Sequence, residues 1–172
     1  LGEYIGYLPQ SVTLFDGTIK ENIARLSKDA DDAAVVKAAQ RAGAHDMILQ
    51  LPDGYDTHIT SSGGRLSGGQ VQRIGLARAM YGDPVLVVLD EPNSNLDNEG
   101  TIALNAAIRT MKEEGKCILI MAHRPAAIEA CDMILMIENG MRRAFGPKEE
   151  VLRAVLHNHR DVREAGGAGG IT

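Results

Sequence analysis

The sequence has no tryptophan and only four tyrosines and two phenylalanines among 172 residues. That scarcity leaves few platforms on which bases could stack, and it argues against the single-strand binders built on rows of aromatic rings. Positive charge is not in excess either. The formal net charge is −5 with no basic run, the opposite of a nucleic-acid footprint. Only two cysteines occur, Cys117 and Cys131, too few and too far apart for a metal-ligand cluster or a disulfide framework. Each lies in or beside an apolar run, so both are expected to be reduced thiols packed in a core. The apolar runs stop far short of the roughly 20 residues that a membrane-spanning helix needs. No signal peptide is visible, and the chain opens on Leu1 rather than Met, which suggests a piece of a longer protein.

What is present is an ordinary globular composition, 44% hydrophobic and 24% charged, at a length that suits one domain with a sizeable core. Tyr4 to Pro9 reads as a strand stopped by proline. Thr18 is placed to cap a helix over 19–23, with Glu21 three residues on completing a capping box. A second helix is expected from Asp31 or Asp32 to Arg41, stopped by Gly43. Leu51 to Gly54 is a turn, and Thr60 to Gly64 is loop by composition. A helix starts near Ser67 and runs to Met80, with Val71, Ile74, Ala77 and Arg78 on one face. Val85 to Leu89 is continuously apolar, as in a parallel strand covered on both faces. A helix over 99–114 follows, then a second buried strand over 117–121 and a short helix from Pro125. Residues 133–137 and 141–145 form a hairpin about Asn139-Gly140. A last helix from Pro147 to about His157 precedes a glycine-rich tail, expected to be flexible. Strands alternating with helices indicate an α/β layered core, with a separate, mainly helical part over about 11–81.

The chemistry concentrates in two places. The strand at Val85 ends in adjacent carboxylates, Asp90 and Glu91, at the edge where ligands bind in open α/β sheets. Neighbouring strand residues point opposite ways, so one carboxylate can hold Mg²⁺ while the other orients an attacking water. A plain capping role for Asp-Glu-Pro at a strand end is the alternative. The second place is Leu66-Ser67-Gly68-Gly69-Gln70. Glycines at a helix start let backbone N–H groups approach an anion, and the helix dipole adds about half a positive charge there.

Taken together, these segments resemble the ATP-binding cassette (ABC) family. Leu66 to Gln70 is similar to its signature motif, and Val85 to Glu91 to its Walker B strand with catalytic glutamate. Ser94-Asn95-Leu96-Asp97 resembles the D-loop, His123 the switch histidine, and Gln10 the Q-loop glutamine. These motifs stand in the family's order from Tyr4 to about Val155. The resemblance implies an α/β, P-loop-NTPase-like ATPase core with a helical subdomain. It spans 1–157, with the helical part over 11–81, the core part over 82–157, and a flexible tail over 158–172. It also implies ATP and Mg²⁺ as cofactors. Glu91 and His123 would be catalytic, Asp90 and Gln10 would serve Mg²⁺, and Ser67, Gly68, Gly69, Gln70 and Asp97 would contact nucleotide or communicate across a dimer. No Gly-x-x-x-x-Gly-Lys-Ser/Thr loop occurs; Gly115-Lys116 is followed by Cys117 and has Thr110 where the first glycine belongs. The phosphate-gripping segment is therefore expected upstream of Leu1, and the isolated chain is expected to be inactive.

Within the family, Tyr7 to Gln10 and Leu14 to Ile23 are similar to exporters with fused membrane domains. Asn93 and Asn95 narrow the likeness to bacterial type I secretion ATPases. That implies a head-to-tail dimer, a fused or associated transmembrane domain, membrane-fusion and outer-membrane partners, and a place at the cytoplasmic face of the bacterial inner membrane. No nucleic-acid partner is expected. Lipid or drug exporters and the family's DNA-repair or translation ATPases are the alternatives. Thr60-Ser61-Ser62-Gly63 departs from the Gly-Glu-Gly-Gly-like loop usual in exporters. Arg73, Arg78, Asp46 and His45 read as solvated or structural, and His58, His157 and His159 show no metal-ligand spacing.

Overall fold

The computed structural model describes residues 4–60, 66–94, 96, 98–123 and 128–154. The chain forms two compact units, Leu1–Glu129 and Ala130–Thr172. The expected short helix at Pro125, the tail, His157 and His159 lie outside the described residues wholly or in part.

The first unit is built on a parallel sheet of three strands, β1 (Ile5–Leu8), β4 (Leu86–Asp90) and β5 (Cys117–Met121), with β4 in the middle. Leu8 pairs with Leu89, and Asp90 with Met121, so all three strands end at one edge. Between β1 and β4 the chain makes α1 (Ile19–Ile23), α2 (Asp32–Arg41), α3 (His45–Leu49) and α4 (Gly68–Met80). A two-stranded antiparallel pair, β2 (Gly17–Thr18) with β3 (His58–Ile59), closes this helical part at its side. Helix α5 (Asn98–Glu113) is the crossover from β4 to β5.

Local chemistry fixes the helix starts. Thr18 accepts from Glu21 N at 3.1 Å while Glu21 Oε2 accepts from Thr18 N at 2.7 Å, the capping box the sequence predicts. Asp31 caps α2 through Ala33 N. Asn22, fully buried, accepts from Phe15 N and donates to Phe15 O and Thr18 O, holding the turn ahead of α1. Gly6 and Gly75 permit α4 to lie directly on β1. A methyl at Gly6 would meet the Ala79 carbonyl oxygen at 2.1 Å, and one at Gly75 the Val12 side chain at 2.7 Å.

Gly6, Leu8, Val87 and Leu89 face α4 and α5, and that face is the core, with Ile74, Leu76, Met80, Leu104 and Met111 buried against it. The opposite face differs from expectation. Strand β4 alternates buried and half-buried residues rather than being covered on both sides, and on β5 Leu119 is 53% exposed. Cys117 is exposed, not a core thiol, and Cys131 is half-buried. An apolar run reports that a strand can be covered on both faces; it cannot report which layers the described residues supply.

The second unit is an antiparallel hairpin, β6 (Met133–Glu138) with β7 (Met141–Pro147), followed by helical residues 148–154. Asn139 and Gly140 both take left-handed backbone, φ 51° and 74°, as a two-residue hairpin turn of this type requires. Among the described residues no helix is long and apolar enough to cross a membrane.

Candidate active site

The carboxyl edge of the sheet gathers most of the chemistry. Asp90 ends β4, and Glu91 follows it in left-handed backbone, φ 48°. A non-glycine residue there is strained, and such strain collects at functional sites. The conformation is held because Glu91 N donates to Met121 O at 2.8 Å, a bond that extends the ladder one residue past the end of β4. The side chain is 17% exposed, and its Oε1 contacts His123 Nδ1. His123 stands just past the end of β5, the strand beside β4, so parallel pairing alone carries it to Glu91.

Gln10 lies two residues past the end of β1, on the other side of β4, with its residue exposed at the same edge. Asp90, Glu91, His123 and Gln10 thus stand at one edge of the sheet, with Glu91 and His123 in contact. Asp90 and Gln10 offer oxygen donors of the hard kind that Mg²⁺ takes, and that ion commonly keeps several waters and phosphate oxygens besides one or two carboxylates. Among the described residues no group of three or more His, Cys, Asp or Glu could by itself hold a metal.

Ser67 and Gln70 occupy the start of α4 and form a second capping box. Gln70 N donates to Ser67 Oγ at 3.3 Å, and Ser67 N donates to Gln70 Oε1 at 2.8 Å. The Ser67 hydroxyl can still donate its own proton outward. Ser67 and Gly68 are exposed at the amino end of a 13-residue helix, and Gly69 is half-buried. A helix start of this kind can take an anion through its first backbone N–H groups and its positive dipole end. Among the described residues, the Ser67 and Gln70 side chains bond to each other's backbone within this helix start. Asp97 lies outside the described residues, as do Ser61 and Ser62.

Sequence reasoning passed over Gln72. Its side chain is buried on α4, and its Nε2 donates to the Pro92 carbonyl oxygen at 3.3 Å, next to Glu91. Nothing in local spacing marks that bond, because its partners are 20 residues apart. Two of the residues set aside as solvated or structural make structural contacts. Arg78 donates to Thr13 O and lies 5.4 Å over the Phe15 ring, and His45 meets Tyr55. Lys116, the lysine of the false Gly-Lys pair, joins Asp83 in an ion pair at 3.1 Å.

A family model described as ABC transporter matches residues 1–94. The chain is 53% identical over 95% of its length to the type I secretion system ATP-binding protein PrsD of Rhizobium meliloti, of which it covers 28%. It is 44% identical over 81% of its length to the ATP-dependent lipid A-core flippase of Saccharophagus degradans, covering 24% of that protein. To the cyclolysin secretion/processing ATP-binding protein CyaB of Bordetella pertussis it is 39% identical over 98%, again covering 24%. The fold matches a bacterial Atm1-family ABC exporter solved with ATP bound, at TM-score 0.81 and 32% identity over 95% of this chain and 28% of that one. This chain therefore spans about a quarter of the relatives it matches, and on its sequence and fold alike it belongs to the ABC transporter family.

Proposed function

We propose that this chain is the hydrolytic part of the ATP-binding domain of an exporter that moves polypeptide across the bacterial inner membrane by type I secretion. The observation that carries the reading is the contact of Glu91 with His123 at the strand edge, in a chain 53% identical to a type I secretion ATP-binding protein. The residues at that edge fit the metal and terminal-phosphate end of a nucleotide. They do not include the Gly-x-x-x-x-Gly-Lys-Ser/Thr cradle for the other phosphates, which this sequence lacks.

Bound Mg²⁺-ATP supplies the electrophilic phosphorus and neutralises developing charge. Glu91 orients the attacking water and draws its proton, with its backbone N–H held by the Met121 carbonyl and its carboxylate met by His123. His123 keeps that carboxylate in place and offers its ring to the terminal phosphate. Asp90 and Gln10 would hold the cation. Ser67 and the N–H groups of Gly68, Gly69 and Gln70 close on nucleotide held by a second, head-to-tail copy, with Asp97 communicating between the two. A signature-like helix start in a sequence that lacks the phosphate-gripping loop supports such a shared site. A fused or associated transmembrane domain, membrane-fusion and outer-membrane partners, and a location at the cytoplasmic face complete the proposal.

The 44% likeness to a lipid A-core flippase supports a second reading, export of a lipid. Proteoliposomes holding the complete transporter separate the two. Polypeptide secretion requires that ATP turnover respond to a secreted protein and not to lipid A-core; the reverse response establishes the lipid reading and removes the first.

A further inference from the structure

We propose that Gln72 is a positioning residue that ties the signature helix α4 to the loop bearing Glu91. The inference rests on the ATPase reading above. Gln72 is 3% exposed, so its amide has no water to fall back on, and its Nε2 spends its donor on the Pro92 carbonyl, one residue past Glu91. Past Glu91, whose carboxylate meets His123, the side chains of Asn93 and Ser94 add no anchorage. Asn93 Nδ2 and Oδ1 and Ser94 Oγ are all buried without a hydrogen-bond partner. Its backbone is held to β5 by Glu91 N on Met121 O, and otherwise to itself, by Ser94 N on Glu91 O and Leu96 N on Asn93 O. Gln72 therefore supplies the side-chain hydrogen bond that links α4 to this loop among the described residues.

The consequence concerns both ends of α4. Ser67 starts the helix and faces outward, while Gln72, little more than one turn further on, grips the loop of the catalytic carboxylate. A shift of the helix start, as when Ser67 closes on an anion, pulls on the Pro92 carbonyl and so on Glu91, which already sits in a strained backbone well. In a head-to-tail dimer each chain contributes its signature to one site and its Glu91 to the other. Gln72 then connects the two sites within one chain.

The test uses the complete transporter with Gln72→Met, which keeps the side chain's bulk and removes its donor, beside Gln72→Asn as a shortened amide. Two readouts are taken. Hydrogen–deuterium exchange over residues 91–96, without nucleotide, is expected to rise at least severalfold in Gln72→Met. The ATP dependence of phosphate release is expected to show a turnover number about tenfold lower, a KM within about threefold, and a Hill coefficient reduced toward one. Unchanged exchange over 91–96 overturns the link. Raised exchange with unchanged turnover and Hill coefficient overturns the positioning role. A parent protein that hydrolyses no ATP removes the ATPase reading instead, and the exchange result still decides whether Gln72 holds the loop.

Discussion

Glu91 shows how one residue's backbone can carry functional information that its side chain hides. A carboxylate after a strand is unremarkable, but a left-handed glutamate held by a carbonyl of the next strand is not. Two other residues carry sharp local demands. Gly6→Ala sets a methyl 2.1 Å from the Ala79 carbonyl oxygen, so α4 must shift. A loss on the order of 1–3 kcal/mol is expected, read as a lowered urea midpoint. Asn22→Ala removes one acceptor and two donor contacts that hold the turn at Phe15, and is expected to cost about 2–3 kcal/mol on the same assay. Midpoints equal to the parent's would refute the packing described for each.

At the scale of elements, the helix starts and the hairpin were legible because their physics is local. Thr18 with Glu21 and Asn139-Gly140 act within a few residues of themselves and take the predicted form, and the helix expected near Ser67 starts there, capped by Ser67 with Gln70. Joined at distance, the chain is less readable. The exposed face of β5, the bond from Gln72 to Pro92, and the short pair β2–β3 all depend on partners brought together by folding. The charged cluster at the base of the sheet belongs with these. Arg41, at the end of α2, reaches Asp83 at 2.9 Å and Glu114 at 2.8 Å, while Lys116 meets the same Asp83. Hydrogen bonds from Arg41 and Lys116 hold the Asp83 carboxyl below the ordinary value of 3.8. A depressed folded value means that its contribution is complete above about pH 4 and is lost as pH falls through the lower, folded value. Asp83→Asn keeps a residue that tolerates the left-handed φ of 58° and removes only the charge. Its melting temperature is expected to lie below the parent's near neutral pH and to converge with it in strong acid. Parallel pH profiles would show that the cluster contributes nothing through this carboxylate.

For the whole molecule, the sequence order of motifs was enough to identify the family, because five short segments had to fall on the right strand ends and helix starts at once. The division of labour between them required the fold. One sheet edge carries Asp90, Glu91, His123 and Gln10, while Ser67 opens helix α4, which Gln72 ties to the loop after Glu91. With no phosphate-gripping loop in its sequence, the 172-residue chain is expected to bind ATP weakly or not at all in equilibrium dialysis. Micromolar binding would mean that the residues described here grip nucleotide unaided. The central claim, that Glu91 performs hydrolysis at the strand edge, is tested most directly by phosphate release from the complete transporter carrying Glu91→Gln, with ATP binding measured alongside. Loss of a positioned base predicts a fall of about 10²- to 10⁴-fold with binding retained; turnover equal to the parent's would contradict it.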